Sequence, residues 1–293
     1  MTGHAGGDPV VVGIGDGLLR PRVLDRATAE ARRGGGAVTL VHAHGPETPP
    51  APWSEDAGQR AEAYLTRTAP DLEVSLVCRA GDAVALLVGS CGAGSILVLG
   101  DRHRRLASAA GHVTERAVTA APCPVLVVPE YRGPTPPGTV VRRAVVAGVD
   151  DGPSAPAVLA HALRAAAGLG VPVEAVRVVP PPSGAETAEV PDAELVRARH
   201  ELDAVVTAAR RHGPEVPVST EVVADRPARA LLERAAGADE LVIGHRRDGA
   251  ATAREPGSTA RSVLTAAPCA VAVLGPHGRA GSPRRAAVGE SAP

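Results

Sequence analysis

The segment after position 243 carries residue types that suit an anion-binding loop. Gly244 ends an apolar run, Arg246 and Arg247 follow it, and Gly257 and Ser258 then open a stretch with helical patterning. A helix N-terminus stabilises anions because its first N–H groups are unpaired and its dipole is positive there, and guanidinium groups bind phosphate oxygens. The segment is therefore either a phosphate-binding loop or a capped helix after two solvated arginines, and the residue types leave both interpretations open.

The remaining residue types exclude several kinds of catalysis. The sequence contains no lysine, so all 31 basic side chains are arginine, and neither a Walker-type phosphate loop nor a Schiff base can form. No serine-hydrolase elbow, zinc-protease motif or recognisable carboxylate pair occurs. His42 and His44 alternate at the end of a predicted strand, but no third ligand accompanies them. We therefore predict no metal site and no enzyme, with any ATP hydrolysis slow and incidental.

The composition limits the classes of partner and the cellular compartment that we expect for this chain. The net charge of -1 gives no overall field that would attract nucleic acid or an anionic membrane. The apolar runs have the length of strands rather than of membrane spans. The four cysteines are far apart in sequence, without a C-x-x-C motif. We expect a cytoplasmic protein with no nucleic-acid or membrane partner.

An internal repeat organises the chain, since three landmarks recur in the same order. Gly13 in an apolar run corresponds to Gly148, Gly100 corresponds to Gly244, and a Thr-Ala-Ala-Pro-Cys segment recurs. A proline-rich linker separates the copies, and the last residues lack periodicity. The predicted divisions are a domain over 1–132, a domain over 139–277 and a disordered tail over 278–293.

Within each copy, short β-branched runs alternate with longer amphipathic stretches, which predicts an α/β fold with a parallel sheet. Ser54 and Asp82 are the predicted N-caps of two helices. Strands are predicted near 9–14, 37–42, 72–78, 95–100, 124–128, 142–149, 172–179, 216–223, 240–244 and 270–274. Helices are predicted near 19–33, 54–68, 82–90, 112–120, 154–168, 192–212, 226–236 and 258–266.

The two copies together resemble a tandem universal stress protein, over about residues 8–130 and 142–275. The resemblance implies two tandem doubly wound parallel-sheet domains, Rossmann-like and similar to adenine nucleotide alpha hydrolases, with strand order 3-2-1-4-5. It also implies that the halves pack as an intrachain pseudo-dimer through their fifth strands, each half keeping its own sheet. A homodimer and an unknown protein partner are further expectations.

The ATP-binding members of that family carry a Gly, two residues, Gly, nine residues, Gly-Ser/Thr signature after strand four. The second copy keeps its first Gly, its nine-residue gap and its Gly-Ser, while Arg247 replaces the second Gly and can clamp phosphate instead. By the same resemblance, Asp150 contacts adenosine and Val178 offers backbone atoms to adenine. The implied nucleotide-binding residues are Asp150, Val178, Gly244, Arg247, Gly257, Ser258 and Thr259.

The first copy departs further from the signature. His103 replaces the second Gly, Gly111 arrives after seven residues instead of nine, and Asp16 stands one place later than the expected acidic residue.

Two functions follow as hypotheses. The first is a stress-response regulatory protein that binds ATP in its second domain, and the alternative is a nucleotide-free interaction or scaffold module with both loops degenerate. An ATP-using enzyme ranks last, because no residue that would activate an acceptor can be named.

Overall fold

The computed structural model of the chain describes residues 7–15, 19–34, 36–44, 52–101, 111–130, 143–181, 190–245 and 256–275. In the first half, the strands are β1 Gly7–Ile14, β2 Gly36–His44, β3 Val74–Ala80, β4 Ile96–Gly100 and β5 Val125–Val128, with helices α1 Pro21–Gly34, α2 Pro52–Thr68, α3 Ala83–Gly89 and α4 Gly111–Ala120. In the second half, the strands are β6 Val145–Gly148, β7 Val173–Val179, β8 Val218–Ala224, β9 Glu240–Gly244 and β10 Ala270–Leu274, with helices α5 Ala155–Leu169, α6 Asp192–Arg210, α7 Pro227–Ala235 and α8 Ser258–Ala266.

One predicted helix cap is confirmed and the other is wrong. The Asp82 side chain accepts a hydrogen bond from the Ala85 N–H at 2.9 Å, at the N-terminus of α3. Ser54 does not cap α2, because that helix already begins at Pro52. Proline suits a first helical turn, where its missing N–H has no intrahelical partner to lose.

Each half forms five parallel strands in the predicted order 3-2-1-4-5. The complete order is β3-β2-β1-β4-β5-β10-β9-β6-β7-β8, and the pairs within each half are all parallel. The α/β class and the doubly wound arrangement are therefore confirmed. The predicted domain limits at 132, 139 and 277 and the tail over 278–293 lie outside the described residues, so that division stays a prediction.

The fifth strands of the two halves pair with each other, as predicted, but they do so within a single sheet. β5 and β10 are antiparallel, with Leu126 opposite Ala272, and together they form what we call the seam. The expectation of a separate sheet in each half is wrong. Both strands are buried along their whole length, and pairing satisfies backbone groups that a bare sheet edge would leave open.

The helices cover the two faces of the sheet in two sets. One apolar cluster joins residues of α1, α2, α5 and α6 to the sheet, and a second joins residues of α3, α4, α7 and α8. Each cluster includes residues from both halves, so one core runs across the seam on either face. Among the helices that the structure describes, none combines the length and apolarity that a membrane span needs.

A buried charge cluster crosses the seam on the α1/α5 face. Glu240, the first residue of β9, is fully buried. It accepts hydrogen bonds from Arg26 of α1 and from His161 of α5, whose Nε2 lies 3.1 Å from Glu240 Oε1. Burial acts to raise the pKa of the Glu240 carboxyl, but the charge of Arg26 and the bonds from His161 and Arg26 outweigh it and lower this pKa to about 2. One carboxylate therefore ties a helix of each half together.

Candidate functional site

A cavity of about 480 Å³ lies at the carboxyl edge of the second half. It opens beyond the ends of β6, β7 and β9 and is closed at the sides by α7 and α8. In doubly wound folds this is the edge at which ligands bind, where the strand order reverses. The predicted site residues that line it are Asp150, Val178, Gly244, Gly257, Ser258 and Thr259. The remaining predicted residue, Arg247, lies outside the described residues.

The start of α8 supplies the polar end of this cavity. Gly257 occupies the N-cap position and α8 begins at Ser258, so the first-turn N–H groups have no partner within the helix. The Gly257 N–H approaches the His245 carbonyl oxygen at 3.5 Å. A Cβ at Gly257 would lie 3.7 Å from that oxygen, an ordinary contact. The backbone therefore tolerates a side chain at Gly257, which would extend the lining of the cavity.

Asp150 lies at the other side of the cavity, where the chain leaves β6. Its Oδ1 accepts a hydrogen bond from the Gly152 N–H at 3.0 Å, which orients the carboxylate within the turn that leads into α5. The side chain is half-buried. A carboxylate held in this way is a hydrogen-bond acceptor for hydroxyl or N–H groups of a ligand.

Apolar side chains that sequence reasoning missed form the wall between these polar ends. Leu231 of α7 and Ile243 of β9 both line the cavity. A Cβ at Gly148 would lie 3.1 Å from Leu231 Cδ2 and 3.2 Å from Ile243 Cγ2, so this glycine lets the wall come close to the sheet. The sequence places Leu231 on an amphipathic helix but gives no signal that it faces the site.

A second cavity of about 790 Å³ lies beside the first, toward α6. The two share Asp150 and Val178 among their lining residues. Arg177, which sequence reasoning did not single out, lines only the second cavity, and its guanidinium pairs with Glu201 at 3.3 Å and with Asp151 at 3.6 Å. Arg177 and its carboxylate partners therefore belong to the second cavity, while Asp150 and Val178 border both.

In the first half, the described residues line a small cavity at the end of the first strand, on the α1/α2 face of the sheet. The cavity beside Gly13 and Arg20 measures about 20 Å³. The guanidinium of Arg20 lies over Gly100, where an added Cβ would be only 2.8 Å from Nη1, and it donates to the Asp101 carbonyl oxygen at 3.0 Å. In the second half the side chain over the corresponding Gly244 is that of Ser154. The first-half residues Asp16 and His103 lie outside the described residues.

The described residues contain no group of three or more His, Cys, Asp or Glu side chains arranged to hold a metal ion. His42, half of the histidine pair noted in the sequence, is buried, and its Nδ1 lies 3.1 Å from the Ile14 carbonyl oxygen. This backbone carbonyl is therefore the hydrogen-bond partner of His42 Nδ1.

Known proteins are similar to this chain in sequence and in fold. The model of the universal stress protein family matches residues 7–129 and again residues 142–275. Universal stress proteins of Mycobacterium bovis and Mycobacterium tuberculosis are 29% identical to it over 282 residues, which are 88% of this chain and 94% of theirs. The crystal structure of a universal stress protein from Archaeoglobus fulgidus matches with a TM-score of 0.61, over 92% of this chain and 96% of its own, at 17% identity.

Proposed function

The chain belongs to the universal stress protein family, and from this membership and the cavity beside Asp150 we propose that it is a stress-response regulatory protein whose second half binds ATP. The observation that carries the proposal is the convergence of the predicted residues. Asp150, Val178, Gly244 and Gly257 come from four separate places in the sequence, yet all line one cavity. Its volume of about 480 Å³ lies within the range of roughly 300–1,000 Å³ that is usual for small-molecule sites.

The two ends of the cavity suit the two ends of an adenine nucleotide. The unpaired N–H groups at the start of α8 and the hydroxyls of Ser258 and Thr259 would donate to phosphate oxygens. Asp150 would accept from the ribose hydroxyls, and the apolar wall at Leu231 would pack against the base. When bound, the nucleotide supplies a large anionic group, and the chain supplies its fixed donors and acceptors.

We propose no catalytic role for these residues. None of the described residues lining the cavity is a lysine or a cysteine. Its histidine, His245, is 1% exposed, which leaves its ring little access to an attacking water. Occupancy of the site would then act by fixing the start of α8. Regulation of this kind needs a protein partner that responds to the bound state. It needs no ATP hydrolysis beyond a slow, incidental rate.

The first half is proposed as the scaffold on which the second half is built. Arg20 lies over Gly100, whereas the small side chain of Ser154 faces Gly244 in the second half. The first copy also has seven residues instead of nine before Gly111, and this departure from the signature favours a nucleotide site in one half only. The alternative function, an interaction module without nucleotide, predicts no binding in either half.

Calorimetric titration of ATP into the purified chain tests the proposal. We expect one site per chain. Gly257→Val should reduce affinity by more than about a hundredfold, because the added methyl groups extend into the space next to the phosphate donors. The matched control is Gly111→Val at the start of the first-half helix α4, which should bind ATP like the wild type.

Four results would contradict the proposal. Two sites per chain would refute the restriction to one half. Undiminished binding in Gly257→Val would show that ATP does not bind at the start of α8. Absence of binding in the wild type would support the alternative function, an interaction module without nucleotide. Release of inorganic phosphate at many turnovers per second would contradict the non-catalytic role.

A further inference from the structure

The ten-stranded sheet ends in an edge strand on each side, β3 in the first half and β8 in the second. Each strand has seven residues, and Val74-Ser75 of β3 corresponds to Val218-Ser219 of β8 in the repeat. A bare edge presents unpaired backbone N–H and C=O groups on which another strand can pair. Neither strand contributes to the described lining of the cavity beside Asp150, so strand pairing at these edges is independent of the proposed function.

The middle of the β8 edge is closed by a side chain. The Pro217 carbonyl oxygen and the Asp225 N–H both bond to β7. Because backbone groups of successive residues alternate in direction, those of Thr220 face away from the sheet. Arg199 of α6 donates from Nη1 to the Thr220 carbonyl oxygen at 2.6 Å, and the same nitrogen lies 3.2 Å from Thr220 Oγ1. The guanidinium therefore occupies the place that an N–H of a further strand would take.

The β3 edge is open in the part of the chain that the structure describes. The Glu73 carbonyl oxygen and the Gly81 N–H bond to β2, so the backbone groups of Val74, Leu76 and Ala80 face away from the sheet. Among the described residues, these outward groups take part in no hydrogen bond. A further strand can therefore pair here without displacing a side chain from the backbone.

The side chains of β3 also suit contact with another strand. Residues 74–77 are half-buried and residues 78–80 are exposed. Arg79 is the one charged residue of the strand, and the strand contains no proline. Charged side chains and prolines are the usual means by which a sheet edge is protected from pairing, and β3 has little of this protection.

We propose that β3 pairs with β3 of a second copy of the chain, antiparallel about a two-fold axis at Val77. The two ten-stranded sheets become continuous, as the two halves of one chain are continuous at the seam through the antiparallel pair of β5 and β10. Because Arg199 closes the β8 edge, each chain offers one open edge. Pairing of two like edges then gives a closed dimer that cannot grow into a filament.

The axis at Val77 lets all seven residues of each strand pair. Ser75 lies opposite Arg79 of the second copy, and Leu76 lies opposite Cys78, so no like charges face each other. An axis at Arg79 would instead set two guanidinium groups opposite each other, which is unfavourable. The side chains of β3 therefore favour the register centred on Val77.

The helix that covers β3 fits this arrangement. α2 packs over β2 and β3, and its Gly58 lies against Leu76, where an added Cβ would be 3.0 Å from Leu76 Cδ1. Neighbouring strands lie about 4.8 Å apart, so the α2 helices of the two copies come two strand spacings, or about 10 Å, apart. Packed helices lie about 8–10 Å apart. The dimer thus brings the two α2 helices into contact without a collision.

Light scattering of the full chain after size-exclusion chromatography tests the pairing. The chain of 29.5 kDa should elute with twice that mass. Ser75→Arg sets an arginine opposite Arg79 of the second copy at two places in the dimer, and should raise the dimer Kd about tenfold. Ser75→Glu forms two opposite-charge pairs in the same places and should lower the Kd.

A double variant tests the register itself. Combining Ser75→Arg with Arg79→Glu should restore the wild-type Kd, because each new arginine then faces a glutamate of the second copy. The two positions are about 13 Å apart along one strand, so they cannot pair within a chain. Ser219→Arg is the matched control at the equivalent place on the closed β8 edge, and it should leave the Kd unchanged.

Three results would overturn the proposal. The first is a wild type that stays a monomer at its highest soluble concentration. The second is a Kd that Ser75→Arg and Ser75→Glu both leave unchanged, with the fold of each variant verified by circular dichroism. The third is a response to Ser219→Arg as large as the response to Ser75→Arg, which would place the contact away from β3.

Discussion

The two halves repeat one fold, but they differ in the side chains that lie over the carboxyl end of the fourth strand. In the second half, the small side chain of Ser154 faces Gly244, and a cavity of about 480 Å³ lies beside it. In the first half, Arg20 reaches over Gly100 to the Asp101 carbonyl oxygen. The comparison teaches that one strand order can carry different side chains over the end of its fourth strand.

The halves also differ where they meet. Arg26 and His161 occupy equivalent positions on α1 and α5, 135 residues apart, and both pair with Glu240 of the second half. In the first half, Ile96 takes the place that corresponds to Glu240 at the start of the fourth strand. The charge cluster needs Arg26 from the first half and Glu240 from the second, so it favours pairing of the first half with the second.

The largest expected effect comes from removing the shared carboxylate. Glu240→Ala should lower the free energy of unfolding by about 3 kcal/mol, because His161 would stay buried without the carboxylate and Arg26 would keep its pair with Glu30 but lose the one with Glu240. Denaturant unfolding of the full chain measures it. The control, Asp71→Ala, breaks the exposed Arg32 pair, with side chains 49% and 53% exposed, and should change stability far less, because solvent screens an exposed pair. A loss below about 1 kcal/mol in Glu240→Ala would show that the cluster does not stabilise the seam.

The same carboxylate predicts a pH dependence. Its pKa is lowered from 4.5 to about 2 in the folded chain, so its stabilisation is present above pH 4.5 and is lost as the pH falls from there toward 2. The stability difference between the wild type and Glu240→Gln should shrink over that interval by an amount on the order of 3 kcal/mol. Unfolding curves at closely spaced pH values check this. A difference that stays constant between pH 5 and 2.5 would speak against the paired carboxylate.

The proposed difference in nucleotide binding between the halves can be tested at the acidic residue that follows the first strand of each half. Asp150→Ala should weaken ATP binding by about 1.5–3 kcal/mol, or roughly ten- to a hundredfold, since one charge-assisted hydrogen bond is lost. Asp16→Ala, the nearest first-half counterpart, should leave affinity unchanged. Titration calorimetry of both variants decides the matter, and equal losses in the two would mean that the halves do not differ as proposed.

The smallest expected effect is on stability, and it compares the first residues of α3 in the first half with those of α7 in the second. Asp82→Ala should destabilise the chain by about 1 kcal/mol, because it removes the bond to the Ala85 N–H and the exposed pair with Arg116. In the second half, Arg226 stands at the N-cap of α7 with no side-chain bond to the helix. Arg226→Ala should therefore change stability by less than about 0.5 kcal/mol. Thermal unfolding compares the two, and equal effects would show that the cap contributes little.

Sequence reasoning succeeded where the signal is local or repeated along the chain. The alternation of strands and helices follows from the residue pattern, the Asp82 cap from one side chain, and the strand order from the family resemblance. Six of the site residues that the family resemblance implies line one cavity, because they lie at or near the ends of strands or at the start of a helix; their role in binding stays a prediction.

It failed where the outcome depends on contacts between distant segments. The fifth strands meet as expected, but an apolar edge strand alone does not specify the backbone pairing that joins them in one sheet, for example at Leu126 and Ala272. The position of Arg20 over Gly100 depends on side-chain packing, which the sequence does not encode at a fixed spacing. The start of α2 at Pro52 in place of Ser54 shows that helix ends are set by several competing caps.

The seam has a consequence for how the chain folds. Its pairs, such as Val127 with Val271, join residues that are far apart in sequence, whereas each half can assemble from βαβ units of much shorter span. Closing such a long loop carries an entropic penalty, and contacts of large sequence separation form slowly. We expect refolding in two kinetic steps, with the helices and parallel strands appearing first and the central antiparallel ladder last. During synthesis, β5 would wait with an open edge until the ribosome has released β10.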